Sequence, residues 1–521
     1  MCEDTKAGWN PKYREELTKK RNEAYAGGGE ERVKKQHSAN KMTARERIEY
    51  LFDKGTFSEV DTYIEAQATD FDMEQKKKLG DGVVTGYGLI NGRQTFVAAQ
   101  DFTVIGGTFG QAHTDKIIHI QEMAYQMKSP IIFLNDSGGG RIEEGVCALS
   151  ALGEVFANNV KCSGLIPQIA VILGPCAGGA SYSPALCDYI LMTQNTGKMF
   201  ITGPSVVKEI IGENVTAQEL GSAKIHSSKT GVVHFVYEDD YKTLDGLKDL
   251  LSYLPQNADE RPPKGKTRPV DFGEKIEYIV PDNGRKIYDV RKVINALIDD
   301  NSLLEVQEEY AKNLVVGFAR LDGEVIGIVA NQPLHMGGSL DSASAEKGAR
   351  FVRTCDCFNI PIISFVDVPG FFPGKEQEQN GIIRRGAKLL YAYAEASIPK
   401  VTLIMRKAYG GAYIAMNSKG IGADRIFAWP IAELAVMGAE GAVNILFKHD
   451  IDRASEPNKL REEKIDEYTA KFMNPYSAAS KGYVDEVIFP EETRDKLSSA
   501  LHMLQSKKRG DISKRHGNIP L

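Results

Sequence analysis

The chain has 521 residues, 42% hydrophobic and 26% charged, a composition that supports large buried cores in more than one domain. Its 64 Lys and Arg against 70 Asp and Glu leave a net charge of −6, which excludes the strongly basic face of a general nucleic-acid binder. Seven cysteines (2, 147, 162, 176, 187, 355 and 357) form no CxxC pair, which argues against a disulfide framework and for a reducing compartment, here read as cytoplasmic.

The N-terminal stretch MCEDTKAGWNPKYREELTKKRNEAYAGGGEERVKKQH has Glu, Lys and Arg at helical spacing and no apolar stretch of a secretory signal, so it predicts a solvated helical segment. No later run reaches the ~18 apolar residues of a bilayer-crossing helix, so direct membrane insertion is not expected. Asn91-Gly92 then reads as a two-residue hairpin turn, followed by a strand over Thr95–Ala99 and a loop at Gly106-Gly107. A helix is predicted over 111–128, a short buried strand over Ile131–Asn135, and a second helix. A further strand, Gln168–Leu173, runs directly into Gly178-Gly179-Ala180. The Pro- and charge-rich stretch 255–283 reads as a linker.

Beyond it the same order returns. Asp322-Gly323 lies 231 residues after Asn91-Gly92, Gly337-Gly338 lies 231 after Gly106-Gly107, and Asp367 lies 231 after Asp136. The strands Val325–Ala330, Ile362–Asp367 and Lys400–Met405 follow, the last running into Gly410-Gly411-Ala412, 232 residues after Gly178-Gly179-Ala180. A register held within one residue over such a distance, loop glycines included, indicates a duplicated domain of about 230 residues, too long for a solenoid repeat. Strands alternating with helices make each copy α/β with a parallel sheet and right-handed crossovers. The predicted domains are 1–260, with the N-terminal helical segment, and 284–521.

The paired Gly-Gly-Ala segments carry the chemistry. Two glycines at the carboxyl end of a strand let the backbone turn sharply and present consecutive amides without a Cβ in the way. At a helix start those amides have no partner within the helix, which is the construction of an oxyanion hole for a carbonyl becoming an enolate. The glycine runs at 27–29 and 138–140 lack the Lys-Ser/Thr of a phosphate loop. HExxH and GxSxG are absent, and no metal site is predicted. His113 and His119 are placed on a helix surface, and Cys176 is read as a small buried residue instead of a nucleophile.

Several motifs mark a resemblance: AGGGEERVKKQHSANKMTARER (26–47), AAQDFTVIGG (98–107), GPCAGGASYSPAL (174–186), SYLPQN (252–257), DVPGFFPG (367–374), RKAYGGAYIAM (406–416) and HGNIPL (516–521). Across nearly its whole length the chain resembles the carboxyltransferase (β) subunits of biotin-dependent acyl-CoA carboxylases, of the propionyl-CoA carboxylase type. The resemblance implies two tandem crotonase-like domains, the first binding acyl-CoA and the second carboxybiotin, meeting across a subunit boundary in a hexamer. It implies a ligase reaction that moves CO2 from carboxybiotin to the α carbon of a short acyl-CoA, propionyl-CoA before acetyl-CoA. It further implies that the backbone amides of Gly179 and Ala180 hold the thioester oxygen and those of Gly411 and Ala412 the biotin carbonyl. Gly178, Tyr182 and Ile414 would contact substrate, and Gly410, Phe371 and Phe372 the biotin.

The chain has neither an Ala-Met-Lys-Met biotinylation signature nor an ATP site, so the resemblance implies a partner biotin carboxylase that uses the ATP and a biotin carboxyl carrier. Two positions depart from the family pattern. DSGGGRIEEG (136–145) has Gly140 and Glu143 where the family has Ala and Gln, and Ile414 stands where propionyl-CoA carboxylases often have Asp. The apolar residue at 414 is similar to the alternative relatives: the transcarboxylase core and the α subunit of sodium-pumping methylmalonyl-CoA decarboxylases.

Overall fold

A computed structural model describes residues 9–267, 276–507 and 516–520, and the chain divides into two units, Met1–Leu251 and Ser252–Leu521. In the first unit Asn91 (φ 50°) and Gly92 (φ 75°) form the left-handed pair of a type I′ turn, joining strands β2 and β3 below. Both turn amides donate to the carboxylate of Asp53, at 3.1 and 2.8 Å. The second unit repeats the device: Asp322 (φ 54°) and Gly323 (φ 79°) donate to Asp299 at 3.1 and 2.7 Å.

The first unit's strands are β1 (Ser58–Val60), β2 (Val83–Ile90), β3 (Arg93–Gln100), β4 (Ile131–Ser137), β5 (Gln168–Ala177), β6 (Tyr189–Thr193), β7 (Lys198–Phe200) and β8 (Phe235–Tyr237). They run in the order β1-β2-β3-β4-β5-β6-β8, with β7 beside the end of β5. The second unit has β9 (Leu304–Val306), β10 (Leu314–Leu321), β11 (Glu324–Asn331), β12 (Ile362–Val368), β13 (Lys400–Tyr409), β14 (Arg425–Ala428), β15 (Glu433–Ala435) and β16 (Glu486–Val487). Its order is the same, with β9 equivalent to β1 and so on to β16. In each sheet the first three strands are antiparallel and the rest parallel. Every residue of β4 and of β12 is buried, as expected for parallel strands covered on both faces. The α/β architecture is therefore duplicated strand for strand.

Three details differ from the sequence reading. Strands β5 and β13 run four residues past the predicted ends at Leu173 and Met405, because β7 and β15 pair with their last three residues. His113, expected on a helix surface, is fully buried in the helix Gln111–Gln126; its Nδ1 lies 2.9 Å from the Asp81 carbonyl oxygen. Residues Ile276, Ile279 and Val280, inside the stretch read as a linker, are buried in the second unit's core; 268–275 of that stretch lie outside the described residues. Among the described residues no helix is long and apolar enough to cross a membrane.

Candidate active site

The long strands explain the two Gly-Gly loops. Strand β5 is held on one side by β4, whose register shifts after Asn135, and on the other by β7, so it stays extended to Ala177. The chain must then reverse at once into a helical turn, Gly178–Ser181, and does so through Gly178 at φ 67°. Strand β13 repeats this with a shift between Val366 and Val368 on β12 and with β15 as its outer partner. Gly410, at φ 60°, opens the helix Gly410–Ala415. A Cβ at Gly410 would lie 2.9 Å from the Val436 carbonyl oxygen, so conformation and space both select glycine there.

Beneath each nest the glycine loops stack on the strand ends. A Cβ at Gly107 would come within 2.4 Å of the Asp136 carbonyl oxygen, and one at Gly338 within 2.5 Å of that of Asp367. A Cβ at Gly139 would lie 2.9 Å from the Ala177 carbonyl oxygen, which seats the loop after β4 against the end of β5. The aspartates that end β4 and β12 anchor this floor. The Asp136 amide donates to Gln100 Oε1 at 3.1 Å and the Asp367 amide to Asn331 Oδ1 at 3.2 Å. Their side chains have different partners. Asp136 accepts from Lys41 Nζ at 2.7 Å, Gln36 Nε2 at 2.9 Å and Arg47 Nη1 at 3.0 Å. Asp367 accepts from Tyr288 Oη and Arg406 Nε, each at 3.0 Å, and from the Lys407 amide at 3.1 Å. Burial lowers the Lys41 pKa even though the Asp136 charge opposes it.

No side chain at either nest is placed as a nucleophile. Cys176 is fully buried, its Sγ 3.5 Å from the Ala180 carbonyl oxygen, and burial pushes its thiol up to about 12. Ser181 Oγ is engaged by backbone carbonyls, 2.8 Å from that of Cys176 and 3.0 Å from that of Phe200. Tyr409, just before Gly410, donates its hydroxyl to Glu433. Among the described residues no group of three or more His, Cys, Asp or Glu is placed to hold a metal. What each nest offers is backbone N–H.

The two nests differ in their surroundings. A Cβ at Gly179 would meet Leu152 Cδ2 at 2.7 Å, whereas one at Gly411 would have nothing within 4 Å. Gly411 faces a cavity of about 630 Å³, whose wall also holds Gly410, Tyr413, Ile414, Tyr468 and Phe472. Burial pushes the Tyr413 hydroxyl up to about 12, so it stays protonated at neutral pH. A second cavity of about 390 Å³ is lined by Pro361 and Pro399, just before β12 and β13 begin. Ligands of open α/β sheets gather at the opposite, carboxyl end of the strands, which favours the cavity at Gly411.

Among the other residues named from sequence, Ala180 and Ala412 are buried and directly follow the exposed or half-exposed Gly179 and Gly411. Tyr182 is exposed, its ring edge-on to Phe156 at 6.1 Å. Phe371 pairs with Leu340 in an isolated bridge and lies where a Cβ on Gly386 would touch its ring at 3.2 Å. Phe371 and the exposed Phe372 are not in the wall of the Gly411 cavity. At the departures, Gly140 has open space for a Cβ and Glu143 lies 3.7 Å from Lys76. Sequence reasoning missed Tyr413, Tyr468 and Phe472, the last two in a stretch where the repeat loses its register.

Comparison with known proteins adds three findings. Residues 35–519 match the family described as the carboxyl transferase domain. The chain is 53% identical, over 97% of its length and 99% of the relative's, to the carboxyltransferase subunit of propionyl-CoA carboxylase from Haloferax mediterranei. It is 50% identical to the methylmalonyl-CoA decarboxylase α subunit of Propionigenium modestum, covering 97% of this chain and 98% of that one. Among solved structures, the transcarboxylase 12S hexamer with methylmalonyl-coenzyme A and methylmalonic acid bound superimposes with a TM-score of 0.96 at 50% identity, covering 99% of each chain.

Proposed function

This chain belongs to the carboxyl transferase family, and on that premise we propose that it transfers a carboxyl group between carboxybiotin on a partner and the α carbon of propionyl-CoA. Acetyl-CoA is a secondary substrate in this reading. The observation that carries the proposal is Gly411: an exposed glycine at a helix start, with its Cβ position empty, opening on an apolar cavity of about 630 Å³. That cavity has the size of small-ligand sites, and backbone donors beside aromatic walls fit the ureido carbonyl and bicyclic body of biotin.

Bound there, carboxybiotin would supply the carboxyl group and then the base that takes the α proton. The chain's own part is electrostatic. The amides of Gly411 and Ala412 hold the ureido oxygen as charge returns to it, and those of Gly179 and Ala180 hold the thioester oxygen as the enolate forms. Such donors, fixed before the reaction, need no reorganisation as charge moves, so each lowers the barrier without a side-chain acid or base. The apolar wall beside Gly411 keeps water from competing for them. In this reading the first unit takes the acyl-CoA, with Gly178, Tyr182 and Ile414 contacting it, and the second takes the biotin at Gly410 with Phe371 and Phe372 at the approach. The working form is a homohexamer with a biotin carboxylase and a biotin carboxyl carrier. Six free cysteines among the described residues support a cytoplasmic setting.

The decisive experiment is an acyl-CoA panel assayed with the cognate biotinyl partner, with and without ATP. ATP-dependent carboxylation that favours propionyl-CoA supports the proposal; its absence across the panel refutes it. A second reading, the same transfer run toward decarboxylation or transcarboxylation, is favoured by the apolar Ile414 and predicts co-purification with a polytopic membrane subunit instead of an ATP-binding biotin carboxylase.

A further inference from the structure

The duplication breaks at one place, and the break equips only the second nest. Strand pairing sets Lys198 opposite Pro175 and Glu433 opposite Lys407, so these equivalents are 235 residues apart. The next equivalents, Phe235 opposite Leu191 and Glu486 opposite Phe427, are 251 apart. The second half thus carries 16 more residues (251 less 235) between β15 and β16 than the first half has between β7 and β8. This stretch includes the helix Pro457–Phe472 and the residues up to Tyr483, and it supplies one side of the cavity at Gly410 and Gly411.

The electrical character of that wall is one-sided. Among the described residues it holds no carboxylate, and Lys481 is its single charged side chain. Lys481 makes no ion pair with any described residue; the nearby Asp485 and Glu486 are taken by Lys419 and by Arg425 and Lys496. A lone ammonium beside aliphatic and aromatic groups, in a cavity whose other strong donors are backbone amides, attracts an anion more strongly than it would in open water. An ammonium on a flexible stem suits a compact anion that changes position during reaction better than a rigid fork would.

We propose that Lys481 is the specificity-determining cation of this cavity and pairs with the carboxylate being transferred, distinguishing carboxylated from uncarboxylated ligands. The inference rests on the carboxyl-transfer reading above and names a residue that reading does not use. The carboxylate it reads has one chemistry, a carboxyl group next to a carbonyl, and two sources: the carboxylated ureido group of biotin, and the carboxylated acyl thioester.

The test uses the intact full-length oligomer carrying Lys481→Gln or Lys481→Arg, with two measurements. One is kcat/KM for transfer from the carboxylated biotinyl partner to propionyl-CoA. The other is the ratio of calorimetric dissociation constants for methylmalonyl-CoA and propionyl-CoA. Lys481→Gln should lower the first about tenfold with the ratio unchanged if the ureido carboxylate is read, or collapse the ratio about tenfold if the thioester carboxylate is read. Lys481→Arg should keep most of the function in either case. Unchanged values in both measurements overturn the inference, as does an equal loss for both variants, which would make the role steric. Because Lys481 is exposed, an unchanged melting temperature and sedimentation coefficient establish that the variants fold. A Gly411→Val control separates the two levels. If Gly411→Val keeps activity, the carboxyl-transfer reading of this nest fails; if Gly411→Val abolishes it and Lys481→Gln does nothing, only the present inference fails.

Discussion

Replacing Gly411 with valine separates fold from chemistry unusually well. The residue is exposed, its φ lies outside the left-handed region, and a Cβ there would have no heavy atom within 4 Å. At a helix start a side chain in place of glycine removes unfolded-state entropy worth up to about 1 kcal/mol, offset in part by the branching of valine. The variant should therefore melt within a few degrees of the parent. Its side chain enters the cavity where a carbonyl oxygen must approach the amides of Gly411 and Ala412. Loss of one such donor costs roughly 10²–10³ in kcat, about 2.7–4 kcal/mol. The neighbouring Gly410→Ala provides the contrast: φ 60° and a contact of 2.9 Å with the Val436 carbonyl oxygen should destabilise the protein by at least ~1–2 kcal/mol. The assay is steady-state transfer from the carboxylated partner, read beside thermal unfolding. A Gly411→Val enzyme that melts normally and keeps kcat within threefold would refute the assignment of this nest.

Ile414→Asp should change the ratio of kcat/KM for propionyl- and acetyl-CoA by about tenfold, the scale of a one-methylene discrimination; an unchanged profile removes Ile414 from the acyl site. Thiol alkylation at pH 8 should label the exposed Cys147 well before Cys176, whose thiol burial has pushed up to about 12; rapid modification of Cys176 with loss of activity would restore it as a nucleophile. His113 is buried, and desolvation followed by the Arg141 charge lowers its pKa from 6.5 to about 3. The unfolded chain then binds the extra proton between these values, so stability should fall as pH drops from about 6.5 toward 3, by up to about 1.4 kcal/mol per pH unit. In His113→Asn the slope of denaturant midpoint against pH over that window should be shallower; an identical slope would mean that His113 is protonated in the native state. Asp136→Asn leaves the buried Lys41 and Arg47 without their shared carboxylate and should cost about 3–5 kcal/mol in urea unfolding; a cost under 1 kcal/mol would show that the two cations find other partners.

Much of the scaffold was legible because it is written in local chemistry. Asn91-Gly92 and Asp322-Gly323 fold where their left-handed φ values demand them, and the runs feeding Gly178 and Gly410 are apolar in the way of doubly covered strands. What stayed hidden depends on partners remote in sequence. Strands β5 and β13 outlast their apolar runs because three-residue strands, too short to carry a period, hold their ends. His113 is buried because the Asp81 carbonyl, 32 residues earlier, takes its ring nitrogen. The cations that neutralise Asp136 come from an N-terminal stretch whose charge density reads as solvated surface; Lys41 is 95 residues away and largely buried.

The two halves show why a backbone device allows their roles to separate. An oxyanion nest needs only a strand end, a left-handed glycine and a helix start, and both copies keep all three. Since no side chain is committed to the chemistry, the surroundings can diverge without damaging it. The carboxylates under the nests have drifted to different cations, Lys41 and Arg47 in one half and Arg406 in the other, while their amides kept equivalent acceptors in Gln100 and Asn331. One nest is closed in by Leu152; the other opens on a cavity walled by residues its sister copy lacks. A side-chain nucleophile would have bound each half to the geometry of a reacting atom. Main-chain donors ask only that an oxygen arrive, so specificity is free to reside in whatever surrounds them.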